Sequence, residues 1–230
     1  MRAIYESNVY SDLNPTWHEE DSPWKSNQIR KIVEDNKVPH RRICEVGCGT
    51  GSILSNLENC FPSSTFVGYD ISPHAVARAK KKETVRTQFY LADVSDIKVS
   101  NFDLLLLIDV IEHVEDYVSF LKQLKRIAVY KVFHIPLDIS VQSVLRLSPI
   151  MNLRRSVGHI HYFLKDSALA ALRDCGYSII DYRYTASRLE LPNQALTSRL
   201  MYLPRRFTFS LFPDLAVRLL GGYSLLVLAK

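Results

Sequence analysis

Hydrophobic and polar positions follow two different periods along the first 135 residues. Short apolar runs predict five strands, at 42–46, 65–69, 87–91, 102–108 and 128–135. Runs of this length bounded by turn residues are typical of buried strands. Apolar residues at three- and four-residue spacing lie before and between the strands, as in Ile29, Ile32 and Val33, and predict helices. Alternating strands and helices indicate a doubly wound α/β sheet with right-handed crossovers.

The regular pattern loosens after Pro136. A helix capped by Asp166 and ending at Gly176 is predicted, and two closing strands at 177–184 and 223–229. The stretch 185–221 is long and interrupted by prolines, which is typical of an insertion that covers a binding site. We expect one domain over 1–230, with an N-terminal cap at 1–36 and acceptor-side insertions at 137–164 and 185–221.

Composition and charge bound the class of protein. The chain is 47% hydrophobic and 23% charged, which excludes disorder as its dominant state. Its net charge of +5 is uneven, because residues 1–117 sum to −5 and residues 118–230 to +10. Taken alone, a basic chain suggests nucleic acid or a membrane surface. The N-terminus lacks a signal-peptide pattern, no apolar run is long enough to span a membrane, and the cysteines lack metal-site spacing, so we expect a cytoplasmic location.

A glycine-rich turn follows the first predicted strand. It reads Glu45-Val-Gly47-Cys48-Gly49-Thr-Gly51. Glycine allows a tight turn and a close approach of the backbone to a ligand. The turn is not a P-loop, since it lacks the Gly-Lys-Ser/Thr ending, and its glycine spacing departs from the dinucleotide-binding pattern. By itself, such a turn is as often structural as ligand-binding.

Two acidic residues close the next two strands. Asp70 ends the second strand, and Asp93 follows the third. An acid at the first of these positions can accept hydrogen bonds from both hydroxyls of a ribose, although it can also cap the following helix. Because the ends of consecutive parallel strands converge, the glycine turn and both acids predict one nucleoside-binding crevice.

These segments, together with Phe102-Asp-Leu-Leu-Leu-Leu-Ile-Asp109-Val-Ile-Glu-His113-Val, resemble the class I S-adenosylmethionine-dependent methyltransferases. The resemblance covers residues 40–135 motif by motif. It implies a Rossmann-like, mostly parallel seven-stranded sheet whose last strand is antiparallel, with helices on both faces. It also implies S-adenosylmethionine as the cofactor, with S-adenosylhomocysteine as its product.

The resemblance implies a role for each motif residue. The glycines would pass close to the methionine moiety, Asp70 would bind the ribose, and Asp93 the adenine amino group. Tyr5 or Tyr10 would close over the cofactor. The implied cofactor-binding residues are Glu45, Gly47, Cys48, Gly49, Gly51, Asp70, Ile71, Asp93, Val94 and Asp109.

Methyl transfer is an in-line displacement, so the protein mainly aligns the acceptor and adjusts its protonation. Asp109, Glu112 and His113 are the candidate catalytic residues, with His113 as the general base. Two alternatives stay open: the three residues could hold a divalent ion, or Glu112 and His113 could only cap the next helix. The candidate acceptor-binding residues are His159, His161 and Tyr162, which could instead pack a loop.

The expected acceptor is a small molecule, methylated on oxygen rather than nitrogen. Aromatic residues and arginines in the cap and insertions favour a partly apolar, anionic or lipid-linked acceptor. The segment 201–212 could also contact a membrane surface. One alternative is an RNA or protein acceptor, although no amine-binding Asn-Pro-Pro-Tyr motif is present and nucleic acid is not the expected partner. Another is a non-catalytic cofactor-binding subunit.

Overall fold

The structure, a computed structural model, describes residues 9–97, 101–191 and 202–230. Its sheet contains β1 Arg42–Val46, β2 Thr65–Asp70, β3 Thr87–Leu91, β4 Phe102–Ile108, β5 Ala128–Leu137, β6 Ile179–Thr185 and β7 Tyr223–Ala229. The strand order is β3-β2-β1-β4-β5-β7-β6. Strand β7 runs antiparallel to both of its neighbours, while β1 to β5 pair in parallel. The predicted fold class is therefore confirmed.

Helices connect the strands and cover both faces of the sheet. The first six are α1 Val9–Leu13, α2 Ser22–Asp35, α3 Ser52–Cys60, α4 Pro73–Ala79, α5 Tyr117–Leu124 and α6 Val141–Arg146. The remaining helices in the described ranges are α7 Ser148–Ser156, α8 Lys165–Asp174, α9 Ser187–Glu190, α10 Tyr202–Leu211 and α11 Pro213–Leu220. The predicted insertions thus contain helices α6, α7 and α9 to α11, which the loosened pattern did not predict.

Two apolar cores separate these helices from the sheet. On one face, α2, α3 and α4 pack through residues such as Ile32 and Leu57 against Leu104 and Leu106. On the other face, α5, α8 and α11 pack against Leu105 and Phe133. Neighbouring residues of β4 therefore point to opposite cores, which explains why this strand is apolar along nearly its whole length.

Local sequence signals begin several of these helices. Ser72 caps α4 by accepting a hydrogen bond from the Ala75 amide, and Pro73 follows at the first helical position, as a Ser-Pro pair predicts. The Ser22-Pro23 pair likewise predicts a cap at Ser22, but α2 already includes Ser22, and the cap lies one residue earlier, at Asp21. Helix α8 begins at Lys165 rather than after Asp166, because the Ser167 hydroxyl accepts the Leu164 amide.

The strand order reverses between β1 and β4, which creates the crevice where doubly wound sheets bind ligands. A cavity of about 1670 Å³ opens there and extends towards α6, α7 and α10. Within the described ranges, no helix combines the length and apolar character needed to cross a bilayer.

Candidate active site

The cavity is lined by the turn after β1, by the ends of β2 to β5 and by the N-terminal segment. Its volume exceeds the roughly 300–1,000 Å³ that is typical of a pocket for one small ligand. It therefore has room for more than one small molecule.

The glycine turn has separate structural and cavity-facing parts. A Cβ at Gly47 would lie 2.5 Å from Val110 Cγ2, and one at Gly51 would lie 2.4 Å from Phe89 Cζ. At Gly49, by contrast, the nearest atom would be Trp17 Cε3 at 4.0 Å. All three glycines have positive φ, which favours residues without a Cβ. Gly47 and Gly51 hold the turn against its supports, while Gly49 faces open space in the cavity.

Asp70 connects this turn to the end of β2. Its carboxylate accepts hydrogen bonds from the Gly49 and Ser72 amides, each at 2.8 Å. Burial raises the pKa of Asp70, although these amide hydrogen bonds act in the opposite direction. Each carboxylate oxygen retains a second lone pair, so Asp70 can still accept from a ligand in the cavity.

Asp93 and its neighbours form the far side of the same wall. The Asp93 side chain accepts from the Ser95 amide at 3.0 Å, and Ile71 and Val94 lie beside it in the cavity lining. The glycine turn, Asp70 and Asp93 thus face one cavity, as the strand pattern predicted, and Asp109 at the end of β4 faces it too.

Glu45 supplies an unused acceptor in this wall. It is buried in β1, and its Oε2 atom has no hydrogen-bond partner in the part of the chain that is described. Burial, with Asp70 next in effect, raises the pKa of Glu45 well above its usual value. A buried acceptor without a donor is costly, so a ligand donor such as an ammonium group fits this position.

Asp109 anchors a buried polar chain at the end of β4. Its two oxygens lie 2.7 Å from Lys25 Nζ and 2.6 Å from His134 Nδ1. His134 Nε2 in turn lies 2.9 Å from the Thr185 hydroxyl. Burial acts to raise the pKa of Asp109, but His134 and Lys25 together hold that pKa well below its usual value. Asp109 is therefore a permanent negative charge in the cavity wall.

Lys25 is a residue of the site that the sequence interpretation missed. It lies four residues before Ile29 and seven before Ile32, so it continues the buried stripe of α2. Burial lowers the pKa of Lys25, and Asp109 more than compensates, so that the pKa stands above its usual value. A lysine on an apolar stripe was the signal that could have identified it.

Glu112, His113 and His159 converge beside the cavity. Glu112 Oε1 lies 3.9 Å from His113 Nε2 and 4.0 Å from His159 Nε2. Glu112 is fully buried, and neither of its carboxyl oxygens has a hydrogen-bond partner within the described ranges. Burial, with Asp109 nearby, raises the pKa of Glu112 well above its usual value. Burial, and secondly His159, lower the pKa of His113 to about 4.

The Nδ1 atoms of the two histidines face acceptors. His113 Nδ1 lies 3.1 Å from the Gly158 carbonyl, and His159 Nδ1 lies 2.7 Å from Asp138. In the neutral ring each Nδ1 therefore carries the proton, and Nε2 presents its lone pair towards Glu112. The arrangement can accept a proton or bind a cation.

The other predicted acceptor-side residues are placed differently. His161 Nε2 lies 2.9 Å from the Val114 carbonyl, and the Tyr162 hydroxyl donates to the His159 carbonyl. The backbone amides of Ile160 and His161 both donate to the backbone carbonyl of Glu112, which fixes this segment against the loop after β4. Of the three residues, the structure brings only His159 to the cavity lining.

The N-terminal segment covers the glycine turn. Tyr10 lines the cavity, and its ring packs against Trp17, with 4.8 Å between centroids. Glu19 forms ion pairs with Arg78 on α4 at 2.8 Å and with Lys82, three residues after α4, at 2.9 Å. The other candidate lid residue, Tyr5, lies outside the described residues.

Known proteins show the same pattern. Residues 44–129 match the family model of a methyltransferase domain. A malonyl-[acyl-carrier protein] O-methyltransferase of Bacillus anthracis is 34% identical over 59 residues, covering 25% of this chain and 22% of that protein. A trans-aconitate 2-methyltransferase of Deinococcus radiodurans is 33% identical over 67 residues, covering 29% and 26%. The matched segments thus span about a quarter of these curated relatives.

The fold likeness extends over the whole chain. The magnesium protoporphyrin IX methyltransferase of Synechocystis PCC 6803, crystallised with S-adenosylhomocysteine, superposes with a TM-score of 0.65. It covers 99% of this chain and 96% of its own at 16% identity. The family match thus identifies residues 44–129 as a methyltransferase domain, and the solved structure shares the fold of the chain.

Proposed function

We propose that this chain transfers a methyl group from S-adenosylmethionine to a small-molecule acceptor in the cavity. One observation carries the proposal: the glycine turn and the acids of β2, β3 and β4 face a single cavity that has room for a second molecule. The cofactor supplies the methyl group and a sulfide leaving group. The chain supplies alignment, the exclusion of water and control of the acceptor proton.

The proposed binding roles follow the chemistry of the wall. Asp70 would accept from the ribose hydroxyls, and Asp93 with the Val94 amide would bind adenine beside Ile71. Glu45 and Asp109 would face the ammonium and sulfonium end, because they place a bare acceptor and a fixed negative charge there. Gly47, Cys48, Gly49 and Gly51 would shape the backbone that holds the methionine moiety.

Calorimetry with S-adenosylmethionine tests the proposal. Asp70→Asn should weaken binding at least about tenfold, because a hydrogen bond to a charged group is worth roughly 1.5–3 kcal/mol. The matched control is Asp174→Asn, which changes an exposed acid outside the cavity lining and should leave the affinity unchanged. If the folded wild-type chain does not bind S-adenosylmethionine, the proposed function is wrong.

For the acceptor end, we propose O-methylation with His113 as the proton acceptor. His113 is a neutral imidazole at physiological pH, because its pKa of about 4 lies far below 7. The acceptor hydroxyl would pass its proton to Nε2 as its oxygen takes the methyl group, and the sulfonium would leave as a neutral sulfide. Asp138 would orient His159 beside it through the 2.7 Å contact at Nδ1.

A divalent ion is the second candidate for activating the acceptor. Glu112, His113 and His159 place one ligand atom each within 4.8 Å of one another. A carboxylate with two imidazoles is a common ligand set for a divalent metal, and ligating histidines usually donate their other ring nitrogen, as these Nδ1 atoms do. With an ion bound, His113 would be a ligand and the ion would lower the pKa of the acceptor hydroxyl.

Cobalt titration separates the two candidates, because Co²⁺ bound to nitrogen and oxygen ligands absorbs visible light. One equivalent bound by the wild type, and lost in Glu112→Gln and His159→Ala, would select the metal site. If no ion binds, His113→Ala should slow methyl transfer about 100-fold or more with the cofactor affinity kept. Full activity of that variant would eliminate His113 as the base.

The acceptor is proposed to be an anionic small molecule. Arg146 and the buried Arg205 both line the cavity on its insertion side, where they suit a carboxylate or phosphate. The names of the two curated relatives also describe acidic acceptors, malonyl and trans-aconitate. A screen of acidic metabolites and lipid-linked acids, followed by product mass spectrometry, tests this class. An RNA or protein that is methylated in place of these compounds would favour the alternative.

A further inference from the structure

The outer surface of the insertion helices is apolar. Ten of the eighteen large hydrophobic side chains that are exposed in the described ranges lie on α6, α10, α11 and the residues that follow α6 and α10. We call this surface the apolar face. Its members are Val141, Val144, Leu145, Leu147, Leu203, Phe207, Leu211, Phe212, Leu215 and Leu219. A concentration of this kind on one part of a soluble chain marks an interaction surface.

The helices of the apolar face carry apolar side chains on their outer sides, where surface helices usually carry polar ones. Leu203, Phe207 and Leu211 follow one another every four residues along α10 and are 73%, 68% and 54% exposed. Helix α11 buries Ala216 and Val217 and leaves Leu215 and Leu219 outside. Helix α11 packs against both α6 and α10, so the three helices form one layer. A polar outer side would be expected if water were the only neighbour.

The charge around the apolar face is predominantly positive. Residues 139–164 and 191–213 contain no aspartate or glutamate. Arg146, Arg154, Arg155 and Arg206 are exposed on α6, α7 and α10. Asp214, the acid of α11, is paired with Lys165 at 2.6 Å. Exposed apolar side chains among arginines match the interface of a bilayer that contains anionic phospholipid, where acyl chains meet phosphate groups.

The helices that carry the apolar face also line one side of the cavity. Arg146 on α6, Arg205 on α10 and Leu220 on α11 belong to these helices and line the cavity. Placing the apolar face on a membrane would therefore bring the acceptor end of the cavity to the lipid headgroups.

We propose that α6, α10 and α11 dock this chain on the surface of an anionic bilayer. The apolar side chains enter the headgroup region, and the arginines contact lipid phosphates. Docking does not depend on methyl transfer, so this proposal and the proposed function fail in different experiments. If both hold, acceptors carried on a lipid reach the cavity directly from the membrane.

Vesicle flotation of the full chain tests the proposal. The chain should float with vesicles of phosphatidylcholine and phosphatidylglycerol and bind at least about tenfold more weakly to phosphatidylcholine alone, as expected for several arginines near an anionic surface. The double variant Phe207→Gln, Leu211→Gln should lose at least about tenfold in binding to the mixed vesicles, because it removes two apolar contacts. Arg154→Gln with Arg155→Gln should reduce the preference for the anionic lipid.

Val85→Gln is the matched control, since Val85 is 98% exposed and lies away from these helices. It should float like the wild type. Absence of flotation with the mixed vesicles would overturn the proposal. So would sedimentation velocity showing a dimer that Phe207→Gln, Leu211→Gln converts to a monomer, because a second copy would then cover the apolar face.

Discussion

At the scale of single residues, two glycines of the turn share a positive φ but differ in how much stability a substitution would remove. Gly47 and Gly49 both have positive φ, so alanine at either position costs about 1–2 kcal/mol in the left-handed region. Only at Gly47 would the added Cβ also meet a neighbour, Val110 Cγ2 at 2.5 Å. The turn therefore uses one glycine for packing and one for access to the cavity.

Gly47→Ala should consequently lower the free energy of unfolding more than Gly49→Ala does. We expect a loss of about 1–2 kcal/mol for Gly49→Ala and a further 1–3 kcal/mol for Gly47→Ala, the usual cost of overpacking. Urea denaturation followed by circular dichroism measures both. Equal losses would show that Val110 moves aside freely and that the packing argument is wrong.

At the scale of elements, an ion pair joins helix α2 to the centre of the sheet. Lys25 on α2 contacts Asp109 at the end of β4, which is also held by His134 of β5. Because Asp109 is a charge in the cavity wall, this pair connects the folding of the N-terminal segment to the electrostatics of the site.

Lys25→Met should lower the free energy of unfolding by about 3 kcal/mol at pH 7, the lower end for breaking a buried pair, since Asp109 keeps His134. The pKa of Asp109 is depressed in the folded state, so its contribution is present above the usual value of 3.8 and is lost as the pH falls below it. The difference between wild type and variant should therefore shrink below about pH 4.

Lys31→Met on the same helix is the control, because Lys31 is exposed. Its free energy of unfolding should stay within about 0.5 kcal/mol of wild type. A loss in Lys25→Met that persists unchanged to pH 2 would show that the lysine stem packs the helix and that its charge contributes little.

At the scale of the whole molecule, the uneven charge separates the part with the strand-end motifs from the part with the insertion helices. The half with a balance of −5 contains the glycine turn and the strand-end acids, and the half with +10 contains the insertion helices. Eight of the sixteen basic residues in this second half lie in 137–164 and 185–221, on the side of the cavity where an anionic acceptor or an anionic surface would approach. A bulk charge of +5 conceals this distribution.

Much of the fold could be predicted because its signals are local. Apolar runs identified all seven strands to within about two residues at their ends, since a buried parallel strand leaves a continuous apolar stretch. The convergence of the glycine turn, Asp70 and Asp93 followed from the rule that consecutive parallel strands end at one edge. The helices of the insertions were missed, because their outward faces are apolar and the amphipathic period is blurred.

The amino-acid sequence by itself thus determined the class of fold and the crevice, because period, glycine and strand-end acids each act within a few residues. Tertiary structure alone decided which distant side chains meet. It placed Lys25 against Asp109, brought His159 to Glu112 while turning His161 away, and gathered the apolar face beside the cavity. Such pairings depend on how whole elements pack across the sheet, and no local pattern encodes the packing of elements far apart in the chain.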